Sequence, residues 1–209
     1  AHPSAGGGLR EGVAYTWKSP TLQAAMLLAF LVNLTAYPLS NGLLPYVAKE
    51  VYLLDQTGLG YLAASFSLGA LLGSVAVSMR GDLMPGRMML VFAAVWCAML
   101  AVFAQMRVPG AAVVMLMLAG CAQSFCMVLL MVLILRNTDE KLRGRVMGVR
   151  MLAIYSLPLG LLASGVLIER VGYHATATLY AVVGLLFTGL IALGWRADLW
   201  RADMPANAR

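Results

Sequence analysis

Residues 108–135 read VPGAAVVMLMLAGCAQSFCMVLLMVLIL, a run of 28 residues that contains no charged side chain. A transmembrane helix needs about 20 consecutive, predominantly apolar residues, so this run alone predicts one membrane span. Five more uncharged runs of 18 to 30 residues lie at 19–48, 56–79, 88–106, 151–168 and 171–195. A charged side chain at the bilayer centre costs at least about 2.5 kcal/mol, so such runs mark segments within hydrocarbon. The sequence therefore predicts an all-α integral membrane protein, a six-transmembrane-helix bundle.

The composition predicts the same class. Of the 209 residues, 61% are hydrophobic and only 11% are charged, whereas soluble domains carry roughly 25% charged residues. No water-soluble fold of this size can bury so much apolar surface. The net charge of +6 would suit a nucleic acid only if the basic residues were gathered on a water-facing domain. We therefore expect the lipid bilayer, and no nucleic acid, as a partner.

The basic residues predict the orientation of the chain. With the N-terminus taken as cytoplasmic, 12 of the 15 Lys and Arg residues fall on the inner side, and only Lys49, Arg107 and Arg170 fall on the outer side. This asymmetry is what the positive-inside rule requires. We expect both termini to be cytoplasmic.

Three parts are expected along the chain. Residues 1–20 form a cytoplasmic linker, which reads as a segment cut mid-protein, and an interfacial helix; residues 21–195 form the transmembrane bundle, and residues 196–209 form a cytoplasmic tail. Pro38 lies inside the first span and predicts a kink or local unwinding there. The fifth span is expected to begin near Val146. None of the six spans is expected to hold Asp, Glu, Lys or Arg away from its ends.

Two spans carry polar faces and one carries a face of small residues. Asn33, Tyr37 and Asn41 recur every four positions in the first span, which predicts one polar stripe on a helix. In the fourth span, Gln123 follows Gly120 by three positions and is expected on a face of polar or small residues. The second span has Ser65, Gly69 and Gly73 at the same four-residue spacing, a pattern that lets helices pack closely in lipid.

Two loop segments resemble a known family. Residues 139–148 read DEKLRGRVMG and resemble the DExxRGRVMG pattern between the tenth and eleventh helices of bacterial major facilitator superfamily exporters, in the branch of enterobactin exporters and macrolide efflux proteins. Residues 81–87 read GDLMPGR and are similar to the GxxxDRxGR signature between the eighth and ninth helices, although Leu83 replaces Arg and one residue is inserted. The segment 10–20 is similar to the entry of the seventh helix.

The resemblance implies that the spans are helices seven to twelve, a half of the major facilitator type with a 3+3 inverted repeat. It implies a second six-helix half as partner, or a second copy of this chain, and a small amphipathic substrate moved across a bacterial inner membrane by alternating access. Helices seven and ten would line the cavity. Candidate substrate contacts are Asn33, Tyr37, Asn41, Gln123 and Tyr155; the alternative is that these side chains only join neighbouring helices.

The loops supply candidates for a conformational role. Ion pairs at the interface could hold one conformation, with Asp82 bonded to Arg80 or Arg87, and with Asp139 or Glu140 bonded to Arg143 or Arg145. The alternative is a solvated loop whose basic residues only determine topology, since exposed pairs are worth about 0–1 kcal/mol.

No catalytic, metal or cofactor site is expected. Cys97, Cys121 and Cys126 lie inside predicted spans without CxxC spacing, and His2 and His174 stand apart from them. The function alternatives to an efflux permease half are a non-transporting scaffold or regulatory subunit, and a half-size carrier that works as a homodimer.

Overall fold

The structure, a computed structural model, describes residues 5–80 and 84–204. All regular elements in these ranges are helical. The α-helices are α1 Ala5–Lys18, α2 Pro20–Leu34, α3 Leu44–Tyr46, α4 Gln56–Ser78, α5 Pro85–Gln105, α6 Pro109–Arg136, α7 Arg143–Ile154, α8 Ser156–Val171, α9 Tyr173–Gly194 and α10 Arg196–Ala202. Two π-helical segments, Pro38–Gly42 and Val47–Val51, flank α3, and a 3₁₀ turn, Glu140–Leu142, precedes α7.

The described ranges contain six helical stretches long and apolar enough to cross a membrane, as predicted. They are Pro20–Val51, Gln56–Ser78, Pro85–Gln105, Pro109–Arg136, Glu140–Val171 and Tyr173–Gly194. We number them as the first to the sixth span. The fifth starts earlier than the expected Val146, because the 3₁₀ turn and the first turn of α7 already form a continuous helical path.

The first span is interrupted near its middle, and the predicted unwinding at Pro38 is confirmed. Proline lacks an N–H group, and its ring clashes with the carbonyl four residues earlier, which here belongs to Leu34, the last residue of α2. The chain then widens: the N–H of Leu43 donates to the Pro38 carbonyl at 2.8 Å, five residues back. The residues on either side of this break therefore do not share one regular helical face.

The close packing predicted for the second span is also confirmed. Gly69 of α4 lies against the backbone carbonyl of Met117 on α6, and Gly120 of α6 lies against the carbonyl of Phe66 on α4. Gly73 is similarly tight, since a Cβ atom there would approach the Cys121 carbonyl oxygen to 2.6 Å. The two backbones approach closely because the glycines place no side chain between the helices. Small residues at the interface commonly allow helices to associate in lipid.

The core and the outer surface are both apolar. Trp96 and Phe103 of α5 are fully buried, whereas Leu71, Leu162 and Leu193 on three other spans are more than half exposed. Exposed apolar faces of this extent are unfavourable in water and suit contact with lipid or another membrane-embedded surface.

Both ends of the described chain pack onto the bundle. The Glu11 carboxylate of α1 forms an ion pair with Arg145 of α7. At the other end, Leu199 of α10 is fully buried, and Asp203 accepts hydrogen bonds from the backbone N–H groups of Gly86 and Arg87 at 2.7 and 3.1 Å. The segment expected as a polar tail therefore begins with a docked helix, a feature that its composition did not predict.

Candidate functional site

The principal polar contact inside the bundle joins the first and fourth spans. Tyr37 stands directly before the π-helical segment at Pro38, and Gln123 lies in the middle of α6. The Gln123 side-chain amide donates to the Tyr37 hydroxyl at 2.8 Å. Two of the predicted cavity residues thus meet, although 86 residues separate them in sequence.

A tryptophan packs against this contact. The rings of Tyr37 and Trp96 meet edge to face, with centroids 5.1 Å apart, an arrangement that aromatic pairs favour. Trp96 is fully buried, and its indole Nε1 has no hydrogen-bond partner among the described residues. A buried donor without an acceptor is unfavourable, typically by about 1–3 kcal/mol.

The remaining predicted cavity residues do not join this contact. Asn33 is buried and donates its side-chain amide to the Ala29 carbonyl of its own helix at 2.8 Å. Asn41 is exposed, and its amide donates to the Ser40 hydroxyl at 3.1 Å. The three residues of the predicted stripe thus have different partners, and the helix changes to a π-helical segment between Tyr37 and Asn41.

Tyr155 lies at the junction between α7 and α8. Its side chain is 71% exposed, and no contact within the described ranges joins it to Tyr37 or Gln123.

Arg150 is a feature that the sequence reasoning missed. It lies seven residues beyond Arg143, the first residue of α7, which is about two helical turns. Its neighbours on the same face, at i−4 and i+3, are the buried residues Val146 and Ala153. Within the helical stretch Glu140–Val171, Arg150 directly precedes the uncharged run at 151–168. A search for uncharged runs ends a span at its first charge and so excludes such a residue.

Arg150 is partly buried in α7. Its Nε atom is buried without a hydrogen-bond partner, and no carboxylate of the described residues pairs with it. We call Tyr37, Trp96 and Gln123 the Tyr37 cluster.

The candidate loop residues are distributed differently from the prediction. Arg87, Arg143 and Arg145 lie on helices and not in loops, because α5 begins at Pro85 and α7 at Arg143. Arg143 pairs with Glu140 at 3.7 Å, one of the predicted combinations. Asp82 lies outside the described residues.

The other charged candidates bind partners distant in sequence or remain at the surface. Arg87 pairs with Asp203 at 3.7 Å, and Arg145 pairs with Glu11. The backbone N–H of Asp139 donates to the Tyr15 hydroxyl at 3.4 Å. Arg80 follows α4 and is exposed.

Metal-binding geometry is not found in the described ranges, where no three His, Cys, Asp or Glu side chains come together. The polar features are instead hydrogen-bonding groups placed between apolar spans. The chain is therefore a multi-pass helical membrane protein. It has six apolar spans, and a polar contact joins two of them.

Comparison with known proteins gives the family. A family model of the Major Facilitator Superfamily matches residues 26–204, and the chain belongs to this superfamily. It is 26% identical over 188 residues to the multidrug efflux pump Tap of Mycolicibacterium fortuitum, covering 89% of this chain and 45% of that protein. It is also 26% identical over 189 residues to multidrug efflux pumps Tap of Mycobacterium bovis and Mycobacterium tuberculosis, covering 89% of this chain and 44% of each. The chain thus spans about half the length of the curated relatives it matches. No solved structure matches it significantly.

Proposed function

We propose that the chain is helices seven to twelve of an exporter that moves a small amphipathic molecule across a bacterial cell membrane by alternating access. Its membership of the superfamily and its similarity to one half of multidrug efflux pumps support this proposal. The DEKLRGRVMG segment at 139–148 supports the branch of enterobactin exporters and macrolide efflux proteins. The partner is a second six-helix half, and both termini are cytoplasmic.

The observation that carries the proposal is the contact between Tyr37 and Gln123. Alternating access needs polar groups near the middle of the membrane at the interface between two bundles. The first and fourth spans are the ones that the family resemblance assigns to the cavity, and this contact brings their polar groups together. The face around Tyr37 is therefore the proposed substrate path.

We assign Tyr37, Asn41, Gln123 and Tyr155 to this path. Asn41 and Tyr155 are exposed side chains in otherwise apolar spans, so a polar cavity would accommodate them better than hydrocarbon would. Asn33 is left out, because its amide is already bonded to the carbonyl of Ala29.

The charged candidates have a conformational role in this proposal. The Glu140–Arg143 pair lies beside the start of α7, and the Glu11–Arg145 pair joins that helix to α1. Rocking of one bundle against the other would make or break such contacts. The Arg87–Asp203 pair, with the backbone bonds beside it, would instead hold α10 to α5.

Dye efflux from cells that express the full reading frame tests the proposal. Asn41→Leu and Gln123→Leu should insert normally and reduce efflux, because leucine suits lipid but not a polar path. Asn33→Leu is the matched control on the same span and should leave efflux unchanged. Full efflux by both test variants at normal expression would remove these residues from the path.

The same assay separates the alternatives. Efflux by this chain expressed alone, with a dimer in detergent, would favour a half-size carrier. Absence of efflux from the full reading frame, across dyes of different charge, would favour a scaffold or regulatory subunit.

A further inference from the structure

Two apolar cavities follow one another along α2 and together form one crevice. The first, of about 550 Å³, lies between α1, α2 and α7, and the second, of about 540 Å³, lies between α2 and α9. Leu27, Phe30 and Trp195 line both cavities. Leu27 and Phe30 are 44% and 43% exposed, so the crevice is open at the surface of the described chain. We call it the α2 crevice.

The docking of α1 keeps the first cavity open. The Glu11 carboxylate pairs with Arg145 of α7, and a Cβ atom at Gly12 would approach the Arg145 backbone carbonyl oxygen to 2.6 Å. At the turn between α1 and α2, the Gln23 amide donates to the Trp17 carbonyl at 2.6 Å. Because α1 is bonded to both neighbouring helices in this way, the space between the three helices stays unfilled.

The length of the α2 crevice matches one acyl chain in one leaflet. Its lining residues on α2 extend from Gln23 to Leu34, a rise of about 16 Å at about 1.5 Å per residue. The hydrocarbon core of a bilayer is about 30 Å thick, so one leaflet contributes about 15 Å. The second cavity is lined by aliphatic and aromatic side chains alone, a surface that suits a hydrocarbon chain.

A polar group without a partner lies at the α1 end of the α2 crevice. Thr16 lines the first cavity and is only 4% exposed. Its hydroxyl has no hydrogen-bond partner among the described residues. A buried hydroxyl without a partner is unfavourable, so this position favours a ligand that brings an oxygen atom next to its hydrocarbon chain. The ester and glycerol oxygens of a phospholipid stand in that order.

Basic residues follow two of the tryptophans that line the α2 crevice. Lys18 follows Trp17, and Arg196 follows Trp195. Both basic residues are exposed, and neither forms an ion pair within the described ranges. The Arg196 guanidinium lies over the Trp200 ring, 3.9 Å from its centroid, and stacking on a ring face leaves its in-plane N–H donors open to a phosphate. Tryptophan is enriched at the level of the headgroups, and basic residues there attract anionic lipids.

We propose that the α2 crevice binds an anionic phospholipid of the surrounding bilayer. One acyl chain lies along α2 and α9, an oxygen of the glycerol ester region bonds to the Thr16 hydroxyl, and the phosphate lies beside Lys18 and Arg196. The lipid fills the space between α1, α2 and α7 and so fastens α1 to the bundle. This inference goes beyond transport, since binding is measured on the purified protein.

Native mass spectrometry of the full transporter in detergent, titrated with dioleoylphosphatidylglycerol or dioleoylphosphatidylcholine, measures the binding. The wild type should bind the anionic phosphatidylglycerol more tightly than the zwitterionic phosphatidylcholine. Lys18→Gln should weaken phosphatidylglycerol binding by about 5-fold and leave phosphatidylcholine binding unchanged, because one basic residue near the headgroup is lost. Lys141→Gln, at another exposed lysine that lines neither cavity, is the matched control.

Two further variants test the crevice itself. Leu27→Trp should fill it and weaken binding of both lipids by about 10-fold, the loss expected when about two methylene groups leave an apolar site. Leu71→Trp, at an exposed leucine of α4 that lines neither cavity, is its control. Thr16→Val keeps the shape of the side chain and removes the hydroxyl. It should weaken phosphatidylglycerol binding by about 5-fold, the usual effect of one lost hydrogen bond.

The proposal is overturned if Leu27→Trp binds phosphatidylglycerol as Leu71→Trp does, or if Lys18→Gln binds it as Lys141→Gln does. If Leu27→Trp does not fold, the conservative Thr16→Val variant decides, and an unchanged affinity for phosphatidylglycerol overturns the proposal. A protein that binds the lipid with the expected pattern but moves no dye would keep this inference and remove the transport proposal.

Discussion

The Tyr37 hydroxyl accepts a 2.8 Å hydrogen bond from the Gln123 amide, which joins the first span to the fourth across 86 residues of sequence. The fully buried Trp96 packs edge to face against Tyr37. A hydrogen bond between two membrane spans either stabilises their packing or joins groups that a substrate would contact. These two roles have different experimental signatures.

A double-mutant cycle with Tyr37→Phe and Gln123→Leu measures the contact itself. Interhelical hydrogen bonds in membrane bundles average about 0.6 kcal/mol and reach about 1.7 kcal/mol, so we expect a coupling energy in this range for unfolding in detergent. Efflux should fall further than this loss of stability explains if the pair lines the path. A coupling energy of zero would mean that the bond is absent in the resting protein.

The approach of α4 to α6 predicts opposite outcomes for two glycines. Gly120→Ala should lower the free energy of unfolding by about 1–3 kcal/mol, because the new methyl group would collide with the Phe66 carbonyl. Gly60 lies inside α4 with nothing within 4 Å of a Cβ atom, so Gly60→Ala should stabilise by about 0.5–1 kcal/mol. Thermal unfolding of the two purified variants checks both signs. Equal effects would contradict the close helix contact.

The six spans and this close approach could be predicted because both depend on patterns that are local in sequence. Hydrocarbon excludes charge, so uncharged runs reveal helices, and Gly69 and Gly73 mark a surface without side chains. The proximity of Tyr37 and Gln123 could also be predicted, since the family resemblance assigns both spans to one cavity. The hydrogen bond of Asn33 could not be predicted, because its side-chain amide can donate either to the Ala29 carbonyl of its own helix or to another span, and spacing does not distinguish the two.

The long-range electrostatic contacts could not be predicted. Asp203 reaches Gly86 across 117 residues, and Glu11 reaches Arg145 from a helix that composition placed at the membrane surface. Charged residues outside the spans have no periodic pattern to identify their partners. Arg150 was missed for a different reason, since the uncharged-run criterion treats the first charge as the end of a span.

Asp203 predicts a stabilising role for the segment after the sixth span. Its carboxylate accepts from the first N–H groups of α5 and pairs with Arg87, so it acts as a helix N-terminal cap supplied from elsewhere in the chain. Asp203→Ala should lower the free energy of unfolding by about 0.5–2 kcal/mol, the usual cost of losing such a cap.

Asp198→Ala, on the same terminal helix, is the control and should stay within about 0.5 kcal/mol of the wild type. Asp203→Asn should recover part of the loss, because its amide oxygen still accepts from the backbone. Thermal unfolding in detergent compares the three variants. An Asp203→Ala protein as stable as the Asp198 control would show that α10 does not depend on this carboxylate.

The proposed orientation of the chain predicts which side of the membrane reaches each loop. In a background without Cys97, Cys121 and Cys126, a cysteine at position 107 or 170 should react with a membrane-impermeant maleimide on intact cells, because both positions are exposed and lie on the side that carries few basic residues. A cysteine at position 143 or 201 should react only after permeabilisation. The reason is the positive-inside rule, which retains Lys and Arg in short loops on the cytoplasmic side. Labelling of position 143 from outside would contradict this orientation, because it would place the start of the helical stretch Glu140–Val171 at the outer face.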